Sequence, residues 1–334
     1  MLIFRFTNII NAMKHKFTSF FIFFCLYISL AYAQKSLTDS LTLQHPDSTI
    51  LEGLLEFPKT TVVVFIAGSG PTDRNGNSVT GLKTNCYKQL ATALQTNGYA
   101  TLRYDKRTIN LSNMPKSVDF SEKSFEVLEE DLLVFLQAVE KDKRVSDVIL
   151  LGHSQGALIA KMTAQKMKKI SAVISLAGAG RPIGEVIRDQ LKNGGLNEEG
   201  LMEYDSVYQA ALKGKFIEVK NPFLKSIFSK SAFQFISSWM NIDPQEEIKK
   251  LNIPVLVING TTDLQVPISE AELLLKAQPN AEKLFIEGMN HVLKDAPADR
   301  IPNLMTYNQP DLPLSEGLVA GILKFLEKLE QGNL

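Results

Sequence analysis

Short apolar runs alternate along the chain with longer segments whose apolar positions recur at helical spacing. The runs predict strands at residues 61–66, 100–104, 148–151, 174–177, 253–258 and 283–286. The amphipathic segments predict helices that include residues 87–94 and 125–139. Short, mostly apolar strands are typical of a parallel sheet that is buried on both faces. We therefore predict an α/β fold, with a mostly parallel sheet covered by helices on both faces.

This alternation is interrupted between residues 181 and 241. The interruption is longer than a sheet crossover normally needs, and its pattern is largely helical. We predict a helical lid here, inserted over the carboxyl ends of the strands, with residues 34–180 and 242–334 forming the core. The lid ends in an aromatic stretch, whose candidate pocket residues are Phe233, Phe235, Trp239 and Met240. These side chains could form an acyl-binding wall or the lid's own core.

The amino terminus has the pattern of a secretory signal. Lys14 and Lys16 precede an apolar run at residues 17–30, and Ala31-Tyr32-Ala33 follows as a cleavage site. The apolar run is shorter than the roughly 20 residues of a membrane-spanning helix. We predict a signal peptide at residues 1–33, export to the periplasm or the medium, and no stable membrane span after its removal.

Composition excludes several classes of partner. The chain has 36 Lys and Arg against 36 Asp and Glu and shows no basic stripe, which argues against nucleic acid. Removal of the signal peptide leaves Cys86 as the only cysteine, so we expect no intrachain disulfide. The four histidines show no metal-ligand spacing. We expect neither a metal nor a cofactor.

The strongest chemical signal is the pentapeptide at residues 152–156, Gly-His-Ser-Gln-Gly. It stands between an apolar strand and a helix-like segment. A serine in a strand, GxSxG turn and helix is held on a sharp turn, with its hydroxyl exposed at the carboxyl end of a parallel sheet. Ser154 is therefore the candidate nucleophile.

A nucleophilic serine needs a base, and only four histidines are present. His15 lies in the predicted signal peptide, and His45 precedes the first predicted strand. His153 is next to the serine, so its side chain should point away from it. By elimination His291, on the loop after the strand at 283–286, is the candidate base.

The third member of a triad is a carboxylate between the serine and the histidine in chain order. Asp263 lies in the turn that follows the strand at 253–258 and is our candidate. Glu287, four residues before His291, is the competing candidate.

An oxyanion hole requires backbone N–H groups directed at the developing negative charge. Gln155 N–H, directly after the nucleophile, is one candidate donor. The second should come from the small-residue loop after the strand at 61–66, where Ser69 is favoured and Gly68 is the alternative.

Charged residues follow two of the predicted strands, Asp73 and Arg74 after the first, and Asp105, Lys106 and Arg107 after the next. They predict a structural ion-pair network, with substrate recognition as the alternative, because such networks also form at strand ends.

Three segments resemble a known family: residues 68–77, 104–107 and 260–267. They are similar to the bacterial acyl-esterase and serine-aminopeptidase-like branch of the α/β-hydrolases, and the resemblance extends from residue 62 to the carboxyl terminus. It implies hydrolysis of a small-molecule ester, thioester or peptide. We favour a carboxylic ester and an acyl-enzyme; a noncatalytic binding protein on the same scaffold is the rival hypothesis.

Overall fold

An eight-stranded sheet organises the part of the chain that the structure describes. The computed structural model describes residues 37–57, 60–107, 109 and 112–332. The predicted signal peptide at residues 1–33 lies outside the described residues and stays a prediction.

The strand order across the sheet is β1-β2-β4-β3-β5-β6-β7-β8. In chain order the strands are β1 Leu37–Gln44, β2 Ile50–Phe57, β3 Thr61–Ile66, β4 Ala100–Tyr104, β5 Asp147–His153, β6 Ile170–Leu176, β7 Val255–Gly260 and β8 Glu282–Ile286. The pairs from β4 to β8 are parallel, and β2 is antiparallel to β4. All six predicted strands are present, so the mostly parallel sheet is confirmed. The first two strands were missed, because polar residues interrupt their apolar pattern.

Helices follow most of the parallel strands. They are α1 Cys86–Thr96, α2 Val127–Lys141, α3 Gln155–Ala164, α4 Ile183–Asn193, α5 Glu198–Ala211, α6 Pro222–Lys225, α7 Phe233–Met240, α8 Pro244–Lys249, α9 Ile268–Ala277, α10 Arg300–Met305 and α11 Leu318–Glu330. Two 3-10 turns occur at Phe120–Glu122 and Thr306–Asn308. In the part of the chain that the structure describes, no helix is long and apolar enough to cross a membrane.

Both faces of the sheet are buried. Along β3, Val62 and Val64 belong to one apolar cluster, whereas Val63 and Phe65 belong to another. Successive side chains of a strand point to opposite faces, so the two clusters lie on opposite sides of the sheet. This placement explains why the central strands are continuous apolar runs.

Residues 181–241, here called the helical insertion, contain α4 to α7. Its first residue is anchored to α9, because the buried Glu270 carboxylate accepts from Arg181 N–H at 2.9 Å and Arg181 Nε at 2.7 Å. At its far end the Trp239 ring stacks on Phe125, with 5.2 Å between ring centroids. Both ends of the insertion are therefore held against the sheet-bearing part of the molecule.

Candidate active site

Ser154 lies on the turn between β5 and α3, as the pentapeptide predicts. Its backbone has φ 54° and ψ −118°, a conformation that non-glycine residues rarely adopt. The flanking glycines make the turn possible: a Cβ at Gly152 would lie 2.2 Å from Gly156 O, and one at Gly156 would lie 2.1 Å from Ile66 O. The turn therefore requires glycine at both positions and holds Ser154 in a strained conformation at the end of the sheet.

His291 and Asp263 form a buried hydrogen-bonded pair. The distance from His291 Nδ1 to Asp263 Oδ2 is 2.8 Å. The other carboxylate oxygen accepts from Gln265 N–H and Val266 N–H at 2.8 and 2.9 Å, which fixes its orientation. An ionised carboxylate only accepts, so Nδ1 carries the proton and Nε2 keeps its lone pair. The competing carboxylate, Glu287, is exposed.

Ser154 and His291 face the same cavity. The cavity has a volume of about 120 Å³, and Ser69, Gln265 and Tyr307 also line it. The three candidates Ser154, His291 and Asp263 therefore come together at one edge of the sheet, although they follow three different strands. The order along the chain is serine, aspartate, histidine, as expected for this architecture.

The backbone N–H groups of Ser69 and Gln155, beside Ser154, donate to no acceptor among the described residues. The loop is close to the nucleophile, since a Cβ at Gly68 would lie 3.3 Å from Ser154 Cβ. Gly68 N–H itself donates to Tyr87 Oη at 3.1 Å. The alternative prediction, Gly68 as the oxyanion donor, is therefore wrong, because its N–H already donates to Tyr87. Ser69 and Gln155 remain the candidate oxyanion donors.

A chain of hydrogen bonds connects this loop to the backbone of His291. The Tyr87 hydroxyl is 2.7 Å from His153 Nδ1, and His153 Nε2 is 2.8 Å from His291 O. A carbonyl oxygen only accepts, so Nε2 carries the proton and Tyr87 donates to Nδ1. Burial, together with the neighbouring His291, lowers the pKa of His153 to about 3 and keeps the ring neutral. The sequence placed His153 away from the nucleophile but gave no signal for its partners.

Lys106, at the end of β4, contacts the same loop. Its ammonium donates to Gly68 O, to Gly70 O at 3.2 Å and to Gln155 Oε1 at 2.9 Å. Burial lowers the pKa of this lysine to about 7. Lys106 was predicted only as part of a charged network, and its contact with the candidate oxyanion loop was missed.

Three of the other charged residues at these strand ends, Arg74, Asp105 and Arg107, form ion pairs, as predicted. Arg74 binds Asp105 through Nε at 3.0 Å and Nη2 at 2.7 Å, and its own N–H donates to the same carboxylate. Arg107 Nε donates to Asp131 at 2.7 Å. Asp73 instead accepts from backbone N–H groups of its own turn. The ion pairs therefore fix loops next to the site.

The four candidate pocket residues have different positions. Trp239 lines a second cavity of about 120 Å³ that contains Ser154 and Gln155. Phe235 lines a neighbouring apolar cavity of about 440 Å³, beyond Gln155. Phe233 packs edge-on against Phe216, and Met240 is buried in the apolar core. For Phe233 and Met240 the acyl-wall interpretation is corrected, because their side chains pack inside the insertion and the core.

In the described part of the chain, no group of three or more His, Cys, Asp or Glu side chains is arranged to hold a metal ion. Cys86 is a free, buried thiol, and burial raises its pKa to about 11.

Comparisons with known proteins identify a family and relatives of this chain. Residues 81–295 match the family model described as serine aminopeptidase, S33, a region that contains Ser154, Asp263 and His291. The esterase EstD from Thermotoga maritima is 30% identical over 284 residues, which cover 81% of this chain and 65% of EstD. The chain thus spans about two thirds of the length of this curated relative.

Solved esterase structures share the fold. An esterase from Pyrococcus furiosus has a TM-score of 0.57 at 15% identity, covering 88% of this chain and 91% of its own. Est1E from Butyrivibrio proteoclasticus has a TM-score of 0.54 at 17% identity, covering 87% of this chain and 99% of its own. At these identities the likeness shows the fold alone.

Proposed function

Since the chain belongs to the serine aminopeptidase family S33 of the α/β-hydrolases, we propose that it hydrolyses carboxylic esters through an acyl-enzyme. One observation carries the proposal: the buried Asp263–His291 pair faces the same cavity as Ser154, beside two backbone N–H groups without an acceptor in the described chain. The curated relative EstD, an esterase, supports the choice of bond.

In the first half of the reaction, Ser154 Oγ attacks the ester carbonyl carbon while His291 Nε2 takes the hydroxyl proton. Asp263 keeps the imidazole in the required tautomer and stabilises the imidazolium. The carbonyl oxygen gains the negative charge and accepts from Ser69 N–H and Gln155 N–H. Collapse of the tetrahedral intermediate breaks the bond to the alcohol oxygen, which receives the proton from His291.

In the second half, water takes the place of the alcohol. His291 Nε2 removes a proton from water, and the resulting hydroxide oxygen bonds to the acyl carbon. The bond to Ser154 Oγ breaks, Oγ recovers its proton from His291, and the carboxylic acid leaves. The free enzyme is regenerated without an oxidant, a reductant or another reactant.

The acidic residues that an aminopeptidase could use have other partners, which favours an ester over a peptide as the substrate. A peptidase that acts on a free amino terminus needs a negative group for the substrate ammonium. Three carboxylates in or next to the helical insertion could be considered for this role: Glu203, Asp205 and Asp243. Glu203 accepts from backbone N–H groups, Asp205 pairs with Arg188, and Asp243 caps α8. Among the residues that line the two cavities at Ser154, none carries a carboxylate.

The substrate is therefore proposed to be a small-molecule acyl ester. Export of the protein through the signal peptide at residues 1–33 stays a proposal that rests on the sequence alone.

Intact-protein mass spectrometry after fluorophosphonate treatment tests the proposal. We expect one adduct on the wild type and none on Ser154→Ala, with labelling of His291→Ala strongly slowed. Hydrolysis of p-nitrophenyl esters should fall about 10⁴- to 10⁶-fold in Ser154→Ala, as for other triad nucleophiles. Ser206→Ala is the matched control, because this exposed serine bonds only to Met202 O.

Two outcomes contradict the proposal. A folded wild type that is neither labelled nor active would favour a noncatalytic binding protein. A clear preference for aminoacyl anilides over matched p-nitrophenyl esters would favour an aminopeptidase.

A further inference from the structure

We propose that Lys106 is a positioning residue for the oxyanion hole: its ammonium holds the Gly68–Ser69 peptide and the Gln155 side chain so that both backbone donors face Ser154. This inference rests on the proposed function and assigns Lys106 a role in the same reaction. It follows from the contacts of one side chain with three acceptors.

The geometry of the Gly68–Ser69 peptide relates the carbonyl that Lys106 binds to the N–H of Ser69. A trans peptide is planar, and its C=O and N–H bonds point in opposite directions. Lys106 Nζ donates to Gly68 O, the carbonyl of the peptide whose N–H belongs to Ser69. The Ser69 N–H is therefore directed away from the ammonium. Ser69 lines both cavities that contain Ser154, and the proposed role of Lys106 is to keep the N–H directed toward the nucleophile there.

The loop needs this restraint because it is built for flexibility. Gly68 and Gly70 flank Ser69, and glycine permits rotations of the adjacent peptide that other residues resist. Rotation of the Gly68–Ser69 peptide would turn a carbonyl oxygen toward the developing oxyanion, where it would repel the negative charge. The hydrogen bonds of Lys106 to Gly68 O and to Gly70 O at 3.2 Å oppose that rotation.

The same ammonium restrains the second donor. Lys106 Nζ is 2.9 Å from Gln155 Oε1, and the N–H of Gln155 is the other candidate oxyanion donor. Gln155 begins α3 and follows the strained Ser154. One cation thus connects the loop after β3 to the first residue of the nucleophile helix, and the two donors keep a fixed separation.

Lys106 is itself held in place by its neighbour in the chain. Asp105 is fully buried and receives three hydrogen bonds from Arg74, two from the guanidinium and one from the backbone N–H. Arg74 follows Gly68 by six positions in the same loop, which runs from the end of β3 to α1. Consecutive residues after β4 therefore hold this loop at two points, Lys106 at Gly68 and Gly70 and Asp105 at Arg74.

The ammonium is committed to protein acceptors. A lysine ammonium has three hydrogens, and Lys106 has three acceptor oxygens, on Gly68, Gly70 and Gln155. This count favours positioning over binding of an anionic substrate group, which would need a hydrogen that is still available.

Steady-state kinetics of Lys106→Met on p-nitrophenyl esters tests the proposal. Loss of one oxyanion donor costs other enzymes about 10²- to 10³-fold in kcat, so a donor that is only less well positioned should cost about 10- to 100-fold. We expect KM to change less than about threefold, since the interaction strengthens in the transition state. Inhibition by an alkyl trifluoromethyl ketone, which forms a tetrahedral oxyanion with Ser154, should weaken by the same factor as kcat/KM.

Two variants control for charge and burial. Lys106→Arg keeps the charge and several donors and should recover most of kcat. Lys161→Met removes a fully buried lysine whose ammonium, among the described residues, hydrogen-bonds only to Ser175 Oγ, at 3.4 Å, and it should leave kcat and ketone inhibition unchanged. If Lys106→Met does not fold, Lys106→Gln, which keeps one amide donor, replaces it with the same expectation.

Unchanged kcat and ketone inhibition in Lys106→Met, or equal losses in the Met and Arg variants, would overturn the role of Lys106. Activity of the wild type that disappears in Ser154→Ala establishes the proposed function separately. A negative result for Lys106 is therefore distinguishable from a failure of the hydrolase proposal.

Discussion

Two polar regions lie at the carboxyl ends of neighbouring strands, and their polar groups differ in whether they have hydrogen-bond partners. In the arginine cluster, formed by Arg107 with Asp47, Thr49, Lys123 and Asp131, charged groups are bound mainly to one another. Arg107 donates to Asp131 at 2.7 Å and to Asp47 and Thr49 at 2.8 Å each. At the catalytic edge, formed by Ser69, Ser154, Gln155, Asp263 and His291, the N–H groups of Ser69 and Gln155 have no acceptor in the described chain.

Shifted pKa values alone therefore do not identify a catalytic site. Burial raises the pKa of Asp131 to about 6 even with Arg107 beside it. Burial also opposes ionisation of Asp47, yet hydrogen bonds from Thr49 and Arg107 hold its pKa well below the usual range. These shifts are as large as those of many catalytic groups, but opposite charges within the cluster compensate one another. Oriented donors without a partner, beside a strained serine, are the better sign of catalysis.

The sharpest test of this comparison is the same substitution in both regions. Asp263→Asn should lower kcat about 10⁴-fold, because the amide can leave His291 in the wrong tautomer. Asp131→Asn should leave kcat within about twofold. It should change the free energy of unfolding by no more than about 3 kcal/mol, because Arg107 loses its charged partner while a buried carboxylate with a raised pKa is removed, and the two effects oppose each other. Stopped-flow kinetics and urea unfolding of both variants measure the two effects. Comparable losses of kcat in the two variants would contradict the division between the regions.

The residues of the catalytic edge could be predicted from the sequence, whereas the contacts that hold them in place could not. Ser154, Asp263 and His291 each follow an apolar strand, and parallel strands bring their carboxyl ends to one edge of the sheet. With only four histidines, elimination then left one base. The hydrolase fold was predictable for the same reason, because buried parallel strands leave a plain apolar pattern.

The contacts that support the site left no such pattern. The hydrogen bonds of Tyr87 to His153 and of Lys106 to Gly68 join residues 66 and 38 positions apart. These hydrogen bonds depend on how the loops approach one another in the fold. Neither residue spacing nor apolar periodicity in the sequence predicts that approach. The hydrogen bond from Gly68 N–H to Tyr87 Oη could not be predicted for the same reason. The sequence alone therefore could not decide between Gly68 and Ser69 as the oxyanion donor. The first two strands were missed because polar positions mask their pattern at the edge of the sheet.

The next largest effect is expected in the arginine cluster. Arg107→Met leaves the buried Asp131 carboxylate and the partly exposed Asp47 carboxylate without their shared arginine, and removal of one member of a buried ion pair costs about 3–5 kcal/mol. We expect urea unfolding to show a loss of this size. The kcat of the remaining folded protein, counted by fluorophosphonate titration, should stay within about threefold.

The matched control is Arg188→Met, which breaks the exposed pair with Asp205 and should not shift the urea midpoint measurably. A large fall of kcat per titrated site in Arg107→Met would place the arginine cluster in the reaction and remove the contrast between the regions.

The smallest expected effect concerns backbone strain, which both regions contain. Ser154 has φ 54° and ψ −118°, and Ser48, between Asp47 and Thr49 of the arginine cluster, has φ 71°. Glycine adopts such angles without steric cost, and the relief exceeds the entropy that glycine loses on folding. Ser154→Gly and Ser48→Gly should each raise the free energy of unfolding by about 1 kcal/mol, whereas Ser154→Ala keeps the strain and should not. Only the Ser154 variants should lose activity. If thermal unfolding showed no gain for Ser154→Gly over Ser154→Ala, the turn would not store strain, and the orientation of the hydroxyl would need another cause.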